Sequence, residues 1–289
     1  MENILEETKF IMKKYGIRAN KSLGQNFLIN NEVVESIVNS SEISEQDMVI
    51  EIGPGLGTLT KYLLEKAGKV LCIELDTRMI EILEDRFKMY SNFEIINEDV
   101  LKVNLDEIIK ENKKSEKIKN VKIVANLPYY ITTPIIMKLL EDNLDIKSIT
   151  VMIQKEVADR LIEVPGGKNT GAITYSVYYY CDSEKIMEVP NSSFIPEPEV
   201  RSEVIKMTLR KEPIVKSSNA KVMFMVIKSA FMQRRKTLLN ALTNTQIFAN
   251  KNEGLEILNE LKLNENVRAE NLTIQDFANI AQIINKKNK

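Results

Sequence analysis

Histidine is missing from all 289 positions of this chain, and so is tryptophan. Without imidazole the chain lacks the commonest general base at neutral pH and the commonest metal ligand. Cysteine is scarce. Cys72 and Cys181 form no CxxC pair and no disulfide framework, which points to a reducing cytoplasm. Cys72 sits in the apolar run 70–75 and reads as a core residue. Long apolar stretches are absent as well: none approaches the roughly 20 residues a membrane helix needs. The first eighteen residues mix acids, bases and apolar side chains, without the charged-then-apolar-then-small order of a signal peptide. A membrane partner is therefore not expected. Nor is there a large net charge, which stands at −1 and taken alone argues against a nucleic-acid partner.

What is present is ordinary for a soluble globular protein, with 44% hydrophobic and 28% charged residues. The length suits one large domain and a smaller one. The distribution of charge says more than its sum. Between Lys9 and Lys21 lie five basic residues and no acid, and between Arg201 and Lys251 eleven basic residues face two acids. One such run is as readily a solvated face as a binding patch. Two of them, flanking a segment with catalytic features, favour phosphate contact, with Lys21, Arg234, Arg235 and Lys236 as the candidate residues.

Strand and helix patterns alternate through the first two thirds. Strands are predicted over 48–52, 70–75, 93–96, 121–125 and 148–153, with helices over 58–66, 77–89 and 133–141 between them and Thr77 as the cap of the second. Such alternation implies a mostly parallel, doubly wound α/β sheet with right-handed crossovers. Two further strand-like runs, 185–189 and 203–210, are joined by Phe194-Ile-Pro-Glu-Pro198, which leaves no room for a full helix. They predict a terminal hairpin on the sheet edge, giving seven strands. Beyond Pro213 helical patterns dominate, and Thr273 with Asp276 resembles a capping box for a last helix. The division expected is 1–212, a cofactor-binding catalytic domain with an N-terminal helical extension, and 213–289, a small helical RNA-binding domain.

Three segments carry chemistry. Glu51-Ile-Gly-Pro-Gly-Leu-Gly57 follows the first strand of the sheet and opens a helix. Gly53, Gly55 and Gly57 allow close approach of backbone to a ligand, although the G-x-G-x-G spacing departs from the dinucleotide fingerprint G-x-G-x-x-G. Glu74, 21 residues after Gly53, is placed to accept from both hydroxyls of a ribose. NAD and S-adenosylmethionine both carry that ribose, so this element alone leaves the two open. Glu98-Asp99 either accepts from an adenine amino group or caps a helix.

Asn126-Leu-Pro-Tyr129 discriminates. It falls at the carboxyl edge of the sheet, where doubly wound folds bind ligands. An exocyclic purine amine is a poor nucleophile because its lone pair is delocalised into the ring. Two acceptors around its N–H groups favour the pyramidal nitrogen that can attack a methyl group. The Asn126 side-chain oxygen and a backbone carbonyl near Leu127-Pro128 supply such a pair, Pro128 stiffens the loop, and Tyr129 offers a π-face. Phe194, held in an extended proline-rich segment, either packs beneath its loop or covers a base.

The motifs Lys21-Ser-Leu-Gly-Gln-Asn-Phe-Leu28, Glu51–Gly57, Asn126–Pro134, Gln154-Lys-Glu-Val-Ala158, Phe194–Ser202 and Phe231–Leu238, in this order, resemble the bacterial 16S rRNA adenine N6,N6-dimethyltransferases, the family tied to kasugamycin sensitivity. The resemblance runs from Lys21 to at least Asn240. It implies a class I methyltransferase fold, and S-adenosylmethionine held by Gln25, Asn26, Leu28, Gly53, Gly55, Gly57, Glu74, Asp99 and Asn126. It also implies a target adenine held by Asn126, with Tyr129 and Phe194 on its opposite faces. The implied reaction is dimethylation of two adjacent adenosines near the 3′ end of 16S rRNA in a precursor 30S subunit, with no metal and a monomer as the default.

Two departures stand out. Glu98-Asp99 stands where the family usually has Gly-Asp, and Thr170-Gly171 where it often has Tyr-Gly. A 23S rRNA methyltransferase of the macrolide-resistance type is the near alternative, but Pro54, Leu127 and the long C-terminal part favour the small-subunit enzyme. A non-catalytic RNA-binding relative is disfavoured by the intact Asn126–Tyr129 segment, and a NAD-dependent dehydrogenase is remote.

Overall fold

The computed structural model describes residues 3–20, 23–216 and 219–287. Lys21 lies outside them. The chain divides into two compact units, 1–158 with 183–209 and 159–182 with 210–289.

The first unit carries the sheet. Its strands are β1 (Phe27–Leu28), β2 (Asp47–Ile52), β3 (Lys69–Glu74), β4 (Phe93–Asn97), β5 (Asn120–Asn126), β6 (Ser148–Gln154), β7 (Cys181–Val189), β8 (Phe194–Ile195) and β9 (Ser202–Leu209). Seven of them form one sheet in the order β4-β3-β2-β5-β6-β9-β7. β2 runs parallel to β3 on one side and to β5 on the other, with Ile50 opposite Leu71 and Ile123. All six residues of β2 are buried, as expected of a strand covered on both faces. β9 returns antiparallel to β6, with Ser202 opposite Gln154. The doubly wound sheet with a terminal hairpin is the architecture expected.

The helices of this unit are α1 (Ile4–Lys14), α2 (Asn31–Ser40), α3 (Thr58–Leu64), α4 (Thr77–Phe87), α5 (Leu105–Lys113) and α6 (Thr132–Glu141). α4 is capped by Asp76, whose side chain accepts from the Arg78 amide, one residue before the expected Thr77. Aspartate is the better cap because its carboxylate also favours the positive helix end. α5 is not among the helices expected. Its signal is the pair Asn104 and Glu107: the Asn104 side chain accepts from the Glu107 amide at 3.2 Å and donates to its carboxylate at 3.1 Å. At the opposite end of the sheet from the β2 and β5 carboxyl ends, Lys122 and Asp47 form a buried ion pair at 2.9 Å, to which Asn120 and Ser44 add hydrogen bonds.

Helix α7 (Lys155–Leu161) follows β6. The second unit gathers α8 (Ala172–Tyr180), α9 (Ala220–Met232), α10 (Leu238–Asn244), α11 (Lys251–Glu260) and α12 (Ile274–Lys287). Its core holds Tyr175, Phe248 and Phe277, and the Tyr175 hydroxyl donates to the Leu272 carbonyl at 2.6 Å. α8 therefore packs with the C-terminal helices, although the sequence division places it before residue 212. Its aromatic run has no polar face of its own to give water, and the helices after Pro213 supply the apolar surface it needs. Thr273 and Asp276 exchange backbone and side-chain hydrogen bonds of 2.8 and 3.1 Å, which is the capping box expected for α12.

Candidate active site

The loop after β2 adopts left-handed backbone at Gly53, Gly55 and Gly57, with φ of 65°, 58° and 81°. Gly57 is the most constrained: a Cβ there would lie 2.6 Å from the Phe87 ring and 2.8 Å from Leu83. The loop forms the floor of an open cleft of about 1070 Å³ at the carboxyl ends of β2, β3 and β5. This is the switch point of the sheet, since β2 connects to β3 on one side and neighbours β5 on the other.

Glu74 ends β3 inside the cleft and is 7% exposed. One carboxylate oxygen accepts from the Leu75 and Asp76 amides at 2.8 and 2.9 Å, the other from the Gly55 amide at 3.2 Å. Burial raises its pKa, and those three amides pull the other way. The carboxylate is thus fixed against the glycine loop before any ligand arrives. Beneath it, Glu51 is fully buried and accepts from the Thr60 hydroxyl at 2.6 Å. Burial pushes its carboxyl up to about 7.

Asn126 closes β5 on the other wall. Its side-chain nitrogen donates to the Asn26 carbonyl at 3.2 Å, so its oxygen is left to accept. The Pro128 carbonyl is occupied by the Ile131 amide at 3.2 Å and the Thr132 hydroxyl at 3.0 Å. Among the described residues no backbone N–H claims the Leu127 carbonyl, which leaves it available as an acceptor. Tyr129 lines the same wall, its hydroxyl 2.6 Å from that of Ser202. Burial raises the Tyr129 pKa.

A family model for ribosomal RNA adenine dimethylase matches residues 16–286. The chain belongs to that family. The ribosomal RNA small subunit methyltransferase A of Alkaliphilus metalliredigens is 47% identical over 276 residues, 96% of this chain and 95% of that protein. The protein of the same name from Clostridioides difficile is 44% identical over 280 residues, covering 97% and 96%. Among solved structures, a dimethyladenosine transferase from Plasmodium falciparum superposes with a TM-score of 0.75 at 28% identity, over 91% of this chain and 98% of that one. The 23S rRNA methyltransferase ErmE shares the fold, with a TM-score of 0.64 at 20% identity, over 90% and 100% of the two chains.

The residues present fit the cofactor of an adenine dimethyltransferase. The cleft places a buried acid, a glycine loop and an amide acceptor around one space. Asn26, Leu28, Gly53, Gly55, Glu74, Asp99 and Asn126 all line it. Gln25 lines it too, but both ends of its amide are engaged, by the Asn20 amide and by Asp76, each at 2.8 Å. Gly57 turns away and serves the loop's packing on α4. Asp99 accepts from the Leu101 amide at 2.9 Å in a turn while facing the cleft. Among the lining residues that the sequence does not single out, Leu75 and Tyr130 are 50% and 58% exposed. Each directly follows a residue that the sequence does single out, and an apolar or aromatic neighbour at a strand end is the available signal.

Phe194 stands apart from the other candidate residues. It is 1% exposed, sits in the core of the first unit, and is not part of the cleft lining. β8 lies antiparallel to β1, with Phe194 opposite Leu28. The basic turn after α9 belongs to the second unit, whereas the cleft residues belong to the first. Arg234, Arg235 and Lys236 are all exposed in that turn, and Arg234 also donates to the Thr170 carbonyl at 3.0 Å. Thr170 is itself fully buried, and its hydroxyl accepts from the Gly166 amide at 3.2 Å. Threonine at this position thus serves to hold the loop before α8. Among the described residues no group of His, Cys, Asp or Glu is arranged to hold a metal, and no helix is long and apolar enough to cross a membrane.

Proposed function

We propose that this chain dimethylates N6 of two adjacent adenosines near the 3′ end of 16S rRNA, using S-adenosylmethionine. The observation that carries the reading is the acceptor pair at the end of β5, the Asn126 side-chain oxygen and the Leu127 carbonyl, inside a cleft floored by a glycine loop. S-adenosylmethionine supplies an electrophilic methyl group: the N–C bond forms as the S–C bond breaks, and the nitrogen then sheds a proton to water. The two acceptors hold the amine N–H groups and direct the nitrogen lone pair out of the ring plane. Tyr129 gives the base one π-face, and such stacking is worth roughly 1–3 kcal/mol. Methylation makes the nitrogen acidic, so no strong base is needed, in keeping with a chain without histidine.

Glu74 accepts from the ribose, and Asp99 from the adenine amino group of the cofactor. Arg235 and Lys236, with Lys21, contact rRNA phosphates. The working substrate is 16S rRNA within a precursor 30S particle, and the enzyme acts as a cytoplasmic monomer. The names of the relatives at 44–47% identity support the small subunit as the target over the 23S alternative. The test is mass spectrometry of 16S rRNA from a strain lacking this protein. Loss of two N6,N6-dimethyladenosines, restored by the gene but not by an Asn126→Ala copy, is the expected result. Unchanged 16S modification would overturn the reading.

A further inference from the structure

The glycine loop is shaped from behind by α4. Phe87 fills the space next to Gly57, and the neighbouring Arg86 donates one guanidinium nitrogen to the Leu56 carbonyl within the loop. The other nitrogen of that guanidinium donates to Glu7 on α1. The Arg86 side chain is only 13% exposed and lies over the Phe87 ring at 5.0 Å. Glu7 is held in turn by Lys61 of α3 at 3.4 Å. A buried cation therefore bridges a loop carbonyl and a carboxylate 79 residues away in the sequence.

We propose that Arg86 is a positioning residue for cofactor binding, and that α1 takes part in the cofactor site through Glu7. The physical case rests on geometry. Leu56 lies between Gly55, whose amide binds Glu74, and Gly57, which begins α3. With three left-handed glycines the loop has little intrinsic preference for one shape. Something outside it must select the conformation in which the Gly55 amide meets Glu74. A guanidinium suits the task because its planar fork reaches two acceptors in fixed directions, whereas lysine offers one point charge. Glu7 supplies the counter-charge that aims the fork. This inference rests on the reading of the cleft as an S-adenosylmethionine site.

The experiment uses the full-length protein and S-adenosylhomocysteine as the probe. Calorimetry on wild type, Arg86→Lys, Arg86→Met and Glu7→Gln is run well below each melting temperature. Arg86→Lys keeps a cation for Glu7 and is the variant expected to fold. We expect its affinity to fall roughly ten- to a hundredfold, the range for losing one hydrogen bond to a charged group. Glu7→Gln should show a smaller loss. Hydrogen exchange should rise at the amides of residues 55–57 and stay slow in β2 and β5. A merely structural Arg86 would lower the melting temperature and leave affinity at the wild-type value. That outcome in Arg86→Lys would overturn the proposal whatever Arg86→Met does. If wild type itself fails to bind the probe, the reading of the cleft fails first.

Discussion

The Asn126 side-chain nitrogen and the Asn26 carbonyl meet at 3.2 Å, and this one bond leaves the oxygen end of the amide to accept. It joins the segment before β1 to the end of β5, a hundred residues apart. Asn126→Ala should lower single-turnover methyl transfer by about 10²–10³-fold, the range for removing one preorganised hydrogen-bonding group. Asn126→Asp keeps an oxygen but sets a carboxylate against the Asn26 carbonyl, so it should rescue little. A rate near wild type in either variant would remove the amide from the chemistry.

Glu74 offers a test of the cofactor wall. Its carboxylate is held by three backbone amides, and Glu74→Ala loses both that brace and the ribose acceptor. Cofactor affinity should weaken by about 1.5–3 kcal/mol, the range for hydrogen bonds to a charged group. RNA affinity measured in parallel should hold.

These two residues show how far sequence reasoning reaches. Glu74 and Asn126 are legible because strand ends and glycine loops follow from local pattern, and the doubly wound fold then brings them to one edge. Arg86 is not legible: it is one charged residue on an amphipathic helix, and only the tertiary approach of the glycine loop and of α1 gives it its two partners. Phe194 shows the converse. Its prolines forecast an extended segment correctly, but extension alone does not say how deeply a ring is buried; only the packed fold does. The place of α8 is hidden for a similar reason. Local pattern does not assign it to either part of the chain, and only the contacts of Tyr175 with Phe277 and Phe231 do.

Glu51 predicts a pH dependence. Burial, partly offset by Thr60 and Cys72, raises its carboxyl from the ordinary 4.5 to about 7. A raised folded value means the contribution to stability is full below pH 4.5 and lost as pH rises through about 7. Glu51→Gln removes that loss. Urea unfolding should show the variant close to wild type at pH 4.5 and more stable by about 3 kcal/mol at pH 8, because moving a pKa by one costs about 1.36 kcal/mol. A difference that does not change with pH would mean Glu51 titrates normally in the fold.

Phe194 now carries a stability prediction. Truncating a buried phenylalanine costs about 3–5 kcal/mol, so Phe194→Ala should melt well below wild type. Below that melting temperature, its cofactor affinity and single-turnover rate should stay within a few-fold of wild type. Melting at the wild-type temperature together with a collapsed rate would instead return Phe194 to the adenine.

The basic turn after α9 separates two roles that sequence alone leaves merged. All three basic residues are exposed, but Arg234 spends one guanidinium nitrogen on the Thr170 carbonyl. If the other two bind rRNA phosphate, Arg235→Glu and Lys236→Glu should each reduce the log–log salt slope of RNA binding. Each lost contact is worth roughly 0.7–0.9 of slope, the lower figure for single strands. Cofactor affinity should not move, because neither residue lines the cleft. Arg234→Ala should behave differently: it frees the Thr170 carbonyl and loosens the loop before α8, so protease cleavage near residues 163–171 should quicken. Titrations at several salt concentrations, paired with limited proteolysis, read both effects. An unchanged slope in the Arg235→Glu, Lys236→Glu double variant would make this turn a solvated surface and leave RNA contact to other cations.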